Sequence, residues 1–298
     1  VNLNEGEHQM RQDEDADRNV NSTEEARLRA RVREIDEKRE NITREKAPRL
    51  PSEQAAVYRQ ALELFNKSGI KYAVGAAFAR YTYTGIWRQT KDLDIFLRPD
   101  DLNQAMQSLM ENGFHTEVRE KNWLAKAWKD GHFLDLIFGT GHGQLPIDDS
   151  AFEGSKRGKV LGVTTMLYPI EEMIASAAYV AGRNRFDGPE IVHLIRFAKG
   201  KLDWERILTR LGDNRELLLW HLLLFDFIYP GHSNYLPQEL MAQLFEEVRS
   251  RWKSGRRSPK AFRGTLLDPF SYTVDVEDWG YEDRRNKDPL VDRKGNLL

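Results

Sequence analysis

The sequence predicts an α/β (α+β) fold: a mixed sheet, then a C-terminal helical bundle, with a charged arm, helical or disordered, at the N-terminus. Three observations predict this. Helix and strand patterns alternate between residues 52 and 138, as they do where helices cover a sheet. After Pro169 the periodicity is helical, with apolar residues three and four apart. The first 50 residues hold 11 bases and 13 acids, while the other 248 hold 34 of each. The expected divisions are an arm over 1–49, an α/β domain over 50–167, a helical domain over 168–254 and a tail over 255–298.

Residues 1–21 are polar and acidic and are expected to be disordered. In 22–47, Ser22 or Thr23 can cap a helix whose apolar seam is Leu28, Val32, Ile35 and Ile42. A charged surface helix is the plain reading. A short coiled coil, or a helix that docks on a partner protein, is the sharper one.

Ser52 to Lys67 reads as an amphipathic helix with Gly69 as its cap. Ile70 to Val74 is a short strand that runs into Gly75, and Ala76 to Tyr83 is a helix ended by Gly85. Lys91 to Leu97 is the strongest strand, with Leu93, Ile95 and Leu97 alternating with Asp92, Asp94 and Phe96. Pro99 sits at a helix first turn, the stripe is Leu102, Met106, Leu109 and Met110, and Gly113 ends it. Phe114 to Arg119 is a strand. Asn122–Lys129 and His132–Phe138 flank Asp130-Gly131, a pair suited to a two-residue type I′ hairpin. Lys159 to Leu167 adds one more strand. Helices follow at 170–181 and 191–198, then a short one capped by Asp203. Glu216 to Ile228 is apolar on almost every side and reads as the central helix of the bundle. Pro237 opens a last long helix to about Trp252.

Composition excludes several function classes. The net charge is −2, which does not suit a nonspecific polyanion binder. The longest apolar helix, 216–228, is far short of the ~18 residues a membrane span needs. With no cysteine, disulfides, thiolate nucleophiles and Cys-type zinc sites are ruled out, and a reducing cytoplasm is the expected location. The opening residues carry no basic and apolar leader pattern, so no secretory signal is expected, and a chain starting at Val1 is read as trimmed or partial.

The informative feature is Asp92 with Asp94. Two apart on a strand, they project from one face. At ~4 Å two such charges repel by roughly 4 kcal/mol at an effective dielectric of 20, so a cation between them or a proton on one is required. Oxygen ligands favour a hard divalent ion such as Mg²⁺. The acids lie on an apolar strand, Gly75 ends the preceding strand, and a third acid, Asp135, interrupts the apolar run 133–138. Three acids on neighbouring strands can hold two cations about 4 Å apart, the geometry for displacement at phosphorus. Strand-end acids satisfied by capping and solvent are the plainer alternative.

These residues carry a resemblance. Val74-Gly75-Ala76, then Lys91-Asp92-Leu93-Asp94-Ile95-Phe96-Leu97, then Leu134-Asp135-Leu136-Ile137 resemble the nucleotidyltransferase superfamily with the DNA-polymerase-beta-like fold, over residues 52–140. The helices after Pro169, with Pro-Ile-Glu-Glu-Met-Ile at 169–174, are similar to its bacterial abortive-infection and toxin-type branch. The resemblance implies a nucleotidyltransferase-like sheet and an enzyme that moves a nucleoside monophosphate from an NTP to a hydroxyl. It implies that Asp92 and Asp94 hold the Mg²⁺ carrying the triphosphate. Asp135 would complete a second Mg²⁺ site and help deprotonate the acceptor. Gly75 and Ala76 would hold phosphates through backbone N–H groups. Ala76 stands where the family has Gly or Ser, and the Lys found in toxin-type relatives on the helix after Pro169 is missing. Lys91, Arg183 and Arg185 are the candidates to replace it. A catalytically impaired relative that binds a nucleotide or a partner is the alternative.

Other features have plainer readings. Gly139 to Gly143 is a sheet-exit loop from which His142 is a candidate to reach the cleft. Asp148-Asp149 is expected to be solvated. Trp123, Lys126, Trp128 and Lys129 belong to a partly exposed hairpin. Residues 249–263 hold seven bases and no acid, which reads as a solvated helix end or as a grip on nucleic-acid phosphate with Trp252 and Phe262 stacking on bases. Residues 275–281 are expected to dock back on the body as a strand.

Overall fold

The computed structural model describes residues 50–254, 262–285 and 287–298, together with Ala26, Arg27, Ala30, Arg31 and Glu34. The chain falls into two compact units, Val1–Ala47 and Pro48–Leu298. In the first, the five described residues are helical; the other expectations for 1–49 lie outside the described residues.

The second unit opens with α1 (Ser52–Ser68), which buries Val57, Tyr58, Ala61, Leu62 and Phe65 on one stripe. Gly69 ends it at φ +72, a left-handed cap that favours glycine. Strand β1 (Tyr72–Val74) leads through Gly75 into α2 (Ala76–Thr84), and β2 (Asp92–Leu97) follows. Next come α3 (Pro99–Met110), β3 (His115–Glu120), β4 (Leu124–Lys129) and β5 (His132–Ile137). Pro99 stands at the start of α3, with Asp100 and Asp101 in the first turn, where the dipole favours acids. Met110, expected in the stripe of α3, is half exposed instead. Asp130 and Gly131 adopt φ +51 and +77, as a two-residue primed turn requires.

Two short strands, β6 (Gly139–Thr140) and β7 (Leu145–Pro146), pair with each other. The single strand expected over 159–167 is a hairpin, β8 (Lys156–Val160) and β9 (Val163–Leu167), turning at Leu161-Gly162. Both turn residues have positive φ, and a leucine there gave no turn signal. The main sheet has the order β3-β4-β5-β2-β1-β9-β8. The pairs β2–β5 and β1–β9 are parallel and the others antiparallel. On β2 and β5, Leu93, Ile95, Leu134 and Leu136 are fully buried. Asp92, Asp94 and Asp135 alternate with them and therefore point to the other face.

The helical part comprises α4 (Ile170–Ala178), α5 (Gly188–Ala198), α6 (Trp204–Leu211), α7 (Glu216–Ile228) and α8 (Gln238–Ser254). Asp203 caps α6, its carboxylate accepting from the Arg206 N–H at 3.0 Å. Helix α7 is not wrapped on all sides as expected. It buries Leu218, Leu219, Leu222 and Phe225, but Trp220, Leu223, Phe227 and Ile228 are exposed, Phe227 at 84%. Among the described residues no helix is long and apolar enough to cross a membrane.

The C-terminal segment packs on the body. Val291 is buried, and the Leu290 and Val291 N–H groups donate to the Lys121 carbonyl at 3.0 and 3.1 Å. Within the expected strand over 275–281, residues up to 277 belong to a short helix, α9 (Thr273–Glu277).

Candidate active site

Strand register assembles the site. Asp94 is the direct partner of Asp135 across the parallel pair β2–β5. Lys126 is the direct partner of Asp135 across the antiparallel pair β4–β5. The two-residue turn at Asp130-Gly131 fixes that second pairing. Asp92, two residues before Asp94, shares its face. One carboxylate oxygen from each of the three acids lies within 4.8 Å of the other two, the one such group of three metal-ligating side chains among the described residues.

Each acid has a distinct environment. The Thr90 hydroxyl donates to Asp92 Oδ1 at 2.5 Å. Lys126 Nζ donates to Asp135 Oδ1 at 2.5 Å. Burial pushes the Asp94 carboxyl up to about 8, and the neighbouring Asp92 and Asp135 charges push the same way. Burial also raises Asp135, against the pull of Lys126. Tyr58 is fully buried and its hydroxyl donates to the Lys91 carbonyl at 3.0 Å. Burial lifts its phenol to about 12, the Gln54 side chain opposes this, and the three acids add to it. A set of ionisable groups this concentrated and this perturbed is what burial and like charges produce together, and such sets cluster at functional sites.

The loop before α2 is partly as expected. Gly75 N–H donates to the Asp94 carbonyl at 3.1 Å, so α2 begins beside Asp94, but that N–H is committed to the sheet. Glycine is required for another reason: a Cβ there would fall 2.1 Å from the Phe96 ring, which is itself stacked on Tyr168. Ala76 takes φ +41, a left-handed conformation at the first residue of a helix. The first N–H groups of α2 have no acceptor within the helix.

The basic candidates separate. Arg185 pairs with Asp187, at 3.0 and 2.8 Å, and its charge offsets part of the upward push on Asp94 and Asp135. Arg183 is exposed and its N–H donates to Asp268. Lys91 is exposed and meets Tyr58 through its carbonyl. His142 stacks edge-on against Trp123 and bonds the Leu267 backbone, and burial lowers its pKa. These contacts tie it to the C-terminal segment. Asp148 and Asp149 are exposed, as expected; Asp148 also caps a 3₁₀ turn at Ala151 and Asp149 pairs with Lys71. In 249–263, Arg249 pairs with Glu246, Arg251 and Arg263 pair with Glu216, and Phe262 packs on Tyr272 and Tyr281. Trp252 is 74% exposed, and 255–261 lie outside the described residues.

Sequence reasoning missed Lys126, Thr90 and Tyr58 as neighbours of the acids. For Lys126 a signal existed: a two-residue turn at 130–131 makes 126 and 135 partners by arithmetic alone.

A strand, a glycine turn, a helix, an Asp-x-Asp strand and a third Asp in register beside it are now one structure. This is the order of elements that the sequence resemblance implies for the sheet. No protein-family model matches the sequence, and no curated protein matches it. Among solved structures, the chain is similar to the antibiotic-resistance factor ANT(2'')-Ia in solution, at 13% identity, 69% of this chain, 96% of that one and a TM-score of 0.37. A crystal structure of ANT(2'')-Ia with adenylyl-2''-tobramycin gives 15%, 55%, 98% and 0.42. The lincosamide antibiotic adenylyltransferase LnuA, bound to lincomycin, gives 16%, 48%, 96% and 0.36.

Proposed function

We propose that this chain is a Mg²⁺-dependent nucleotidyltransferase that moves a nucleoside monophosphate from an NTP to an acceptor hydroxyl, releasing pyrophosphate. The observation that supports it is the convergence of Asp92, Asp94 and Asp135 within 4.8 Å. The residues fit a divalent cation: the donors are all carboxylate oxygens, and Asp94, raised to about 8 by burial and further by its two acidic neighbours, is a carboxyl whose ionised form a cation would favour. Asp92 and Asp94 would hold it, with Asp135 beside them. When bound, the cation supplies charge neutralisation on the phosphates and a template for in-line attack.

The chain's own groups do the rest. Thr90 fixes the orientation of Asp92. Asp135 accepts the proton of the incoming hydroxyl. The N-terminus of α2, whose first N–H groups have no acceptor within the helix, would suit the phosphates of a bound nucleotide, and Arg185 brings positive charge toward the same cleft. Positioning and charge neutralisation account for most of the rate in such transfers. The acceptor classes are a small hydroxylated molecule, such as the antibiotics that the ANT(2'')-Ia and LnuA names carry, an RNA end or a protein side chain.

The test is to incubate the chain with each α-labelled NTP, Mg²⁺ and pools of small metabolites, RNA and protein. Label should pass to one pool, and Asp94→Asn should stop it. Transfer that persists in Asp94→Asn would overturn the proposal. A second reading is binding without transfer, favoured by Ala76, which offers no hydroxyl, and by the commitment of the Gly75 N–H to Asp94. It predicts a thermal shift with Mg-NTP and no labelled product.

A further inference from the structure

We infer that Lys126 is a built-in counter-ion of the acid cluster, so that the site takes one divalent cation, between Asp92 and Asp94, and not two. This rests on the metal reading of Asp92, Asp94 and Asp135. Lys126 is not a surface lysine that meets an acid by chance. It is the register partner of Asp135, and its ammonium is held from two sides. Nζ lies 2.5 Å from Asp135 Oδ1 and 4.5 Å from the centroid of the Phe133 ring, an attraction of its own. The pair is largely removed from water, with side chains 24% and 15% exposed. Both residues sit on strands joined by a two-residue turn, so the hairpin register keeps their backbones opposite each other.

Charge arithmetic then limits the cations. The three carboxylates supply −3 and Lys126 supplies +1. One divalent ion balances the remainder. A second ion would need Asp135, whose Oδ1 already carries the ammonium, and would meet a fixed positive charge at contact distance. Arg185 also acts on this cleft, but it comes with its own anion, Asp187, so the pair adds zero to the sum. Lys126 therefore stands where a second ion would otherwise bind. In the transfer reaction it would be a positioning residue that keeps Asp135 aimed at the cleft.

Counting bound ions tests this without any turnover. The full chain is titrated with Mn²⁺ alone at pH 8.5, and free Mn²⁺ is read by electron paramagnetic resonance. Wild type should saturate at one ion per chain. Lys126→Met, which removes the charge and frees Asp135, should take up two, and Lys126→Arg should remain at one. Two ions in wild type would overturn the inference even if no variant folded. A single ion in a Lys126→Met protein with an unchanged circular dichroism spectrum would overturn it as well. No bound ion in wild type would overturn both this inference and the metal reading beneath it, whereas two ions would leave that reading standing.

Discussion

Asp94 and Asp135 face each other as register partners across the parallel pair β2–β5, with Asp92 on the same face two residues before Asp94. Burial makes the Asp94 carboxyl weakly acidic, at about 8 against an ordinary 3.8, and the charges of Asp92 and Asp135 push the same way. An acid raised in the folded state stabilises the fold while it is protonated. That contribution is complete below about pH 4 and is lost as pH climbs through about 8. In chelator, the urea midpoint of wild type should therefore fall between pH 5.5 and pH 8.5 more steeply than that of Asp94→Asn. Parallel pH profiles for the two proteins would contradict the assignment.

Thr90 acts on the site through Asp92. Its hydroxyl holds one carboxylate oxygen at 2.5 Å, and partners of this kind orient ligands at a cost of about 10–100-fold when lost. Thr90→Val should weaken Mn²⁺ binding about 10-fold with the fold intact, and Asp92→Asn should weaken it beyond about 100-fold. Equal affinities for wild type and Thr90→Val would show that Asp92 does not need its anchor.

What could be read from the sequence was local. Asp92 and Asp94 stood out because a strand's period of two puts them on one face. Asp130-Gly131 stood out because few residue pairs tolerate two positive φ angles. The rest depended on partners distant in the chain or on unusual conformations. Leu161 turns a hairpin at φ +51, which leucine rarely does, so β8 and β9 were read as one strand. Helix α7 is apolar all round, and no sequence pattern says which side the body leaves uncovered. At Gly75 the structure adds a packing requirement that depends on a distant partner: the Phe96 ring fills the space a side chain would need.

Gly75 and Ala76 should respond to substitution with opposite signs. Gly75→Ala drives a methyl into a ring that is stacked on Tyr168, and overpacking of this kind costs about 1–3 kcal/mol. Ala76→Gly relieves a left-handed alanine at φ +41, where the steric penalty is roughly 1–2 kcal/mol, partly returned as chain entropy. Its urea midpoint should rise while that of Gly75→Ala falls. A loss of stability in Ala76→Gly would mean that the alanine methyl packs better than its backbone strain suggests.

The second glutamate of the 169–174 motif has a structural task that the motif alone did not disclose. Glu172, on α4, is 2% exposed at its side chain, and its two oxygens accept from Arg206 at 2.9 Å and Arg210 at 2.7 Å, both on α6. Arg206 also donates to the carbonyls of Glu153 and Ser150, so the same cluster ties α6 to the loop before β8. Glu172→Gln keeps the shape but leaves two guanidinium charges without their shared anion in a site that excludes water. Breaking a buried pair from one side costs about 3–5 kcal/mol. Arg210→Met should cost less, because Glu172 keeps Arg206. Urea unfolding of the two variants decides between this account and a merely exposed ion pair. An exposed pair would give both variants losses below about 1 kcal/mol, and would remove the reason for glutamate at this position.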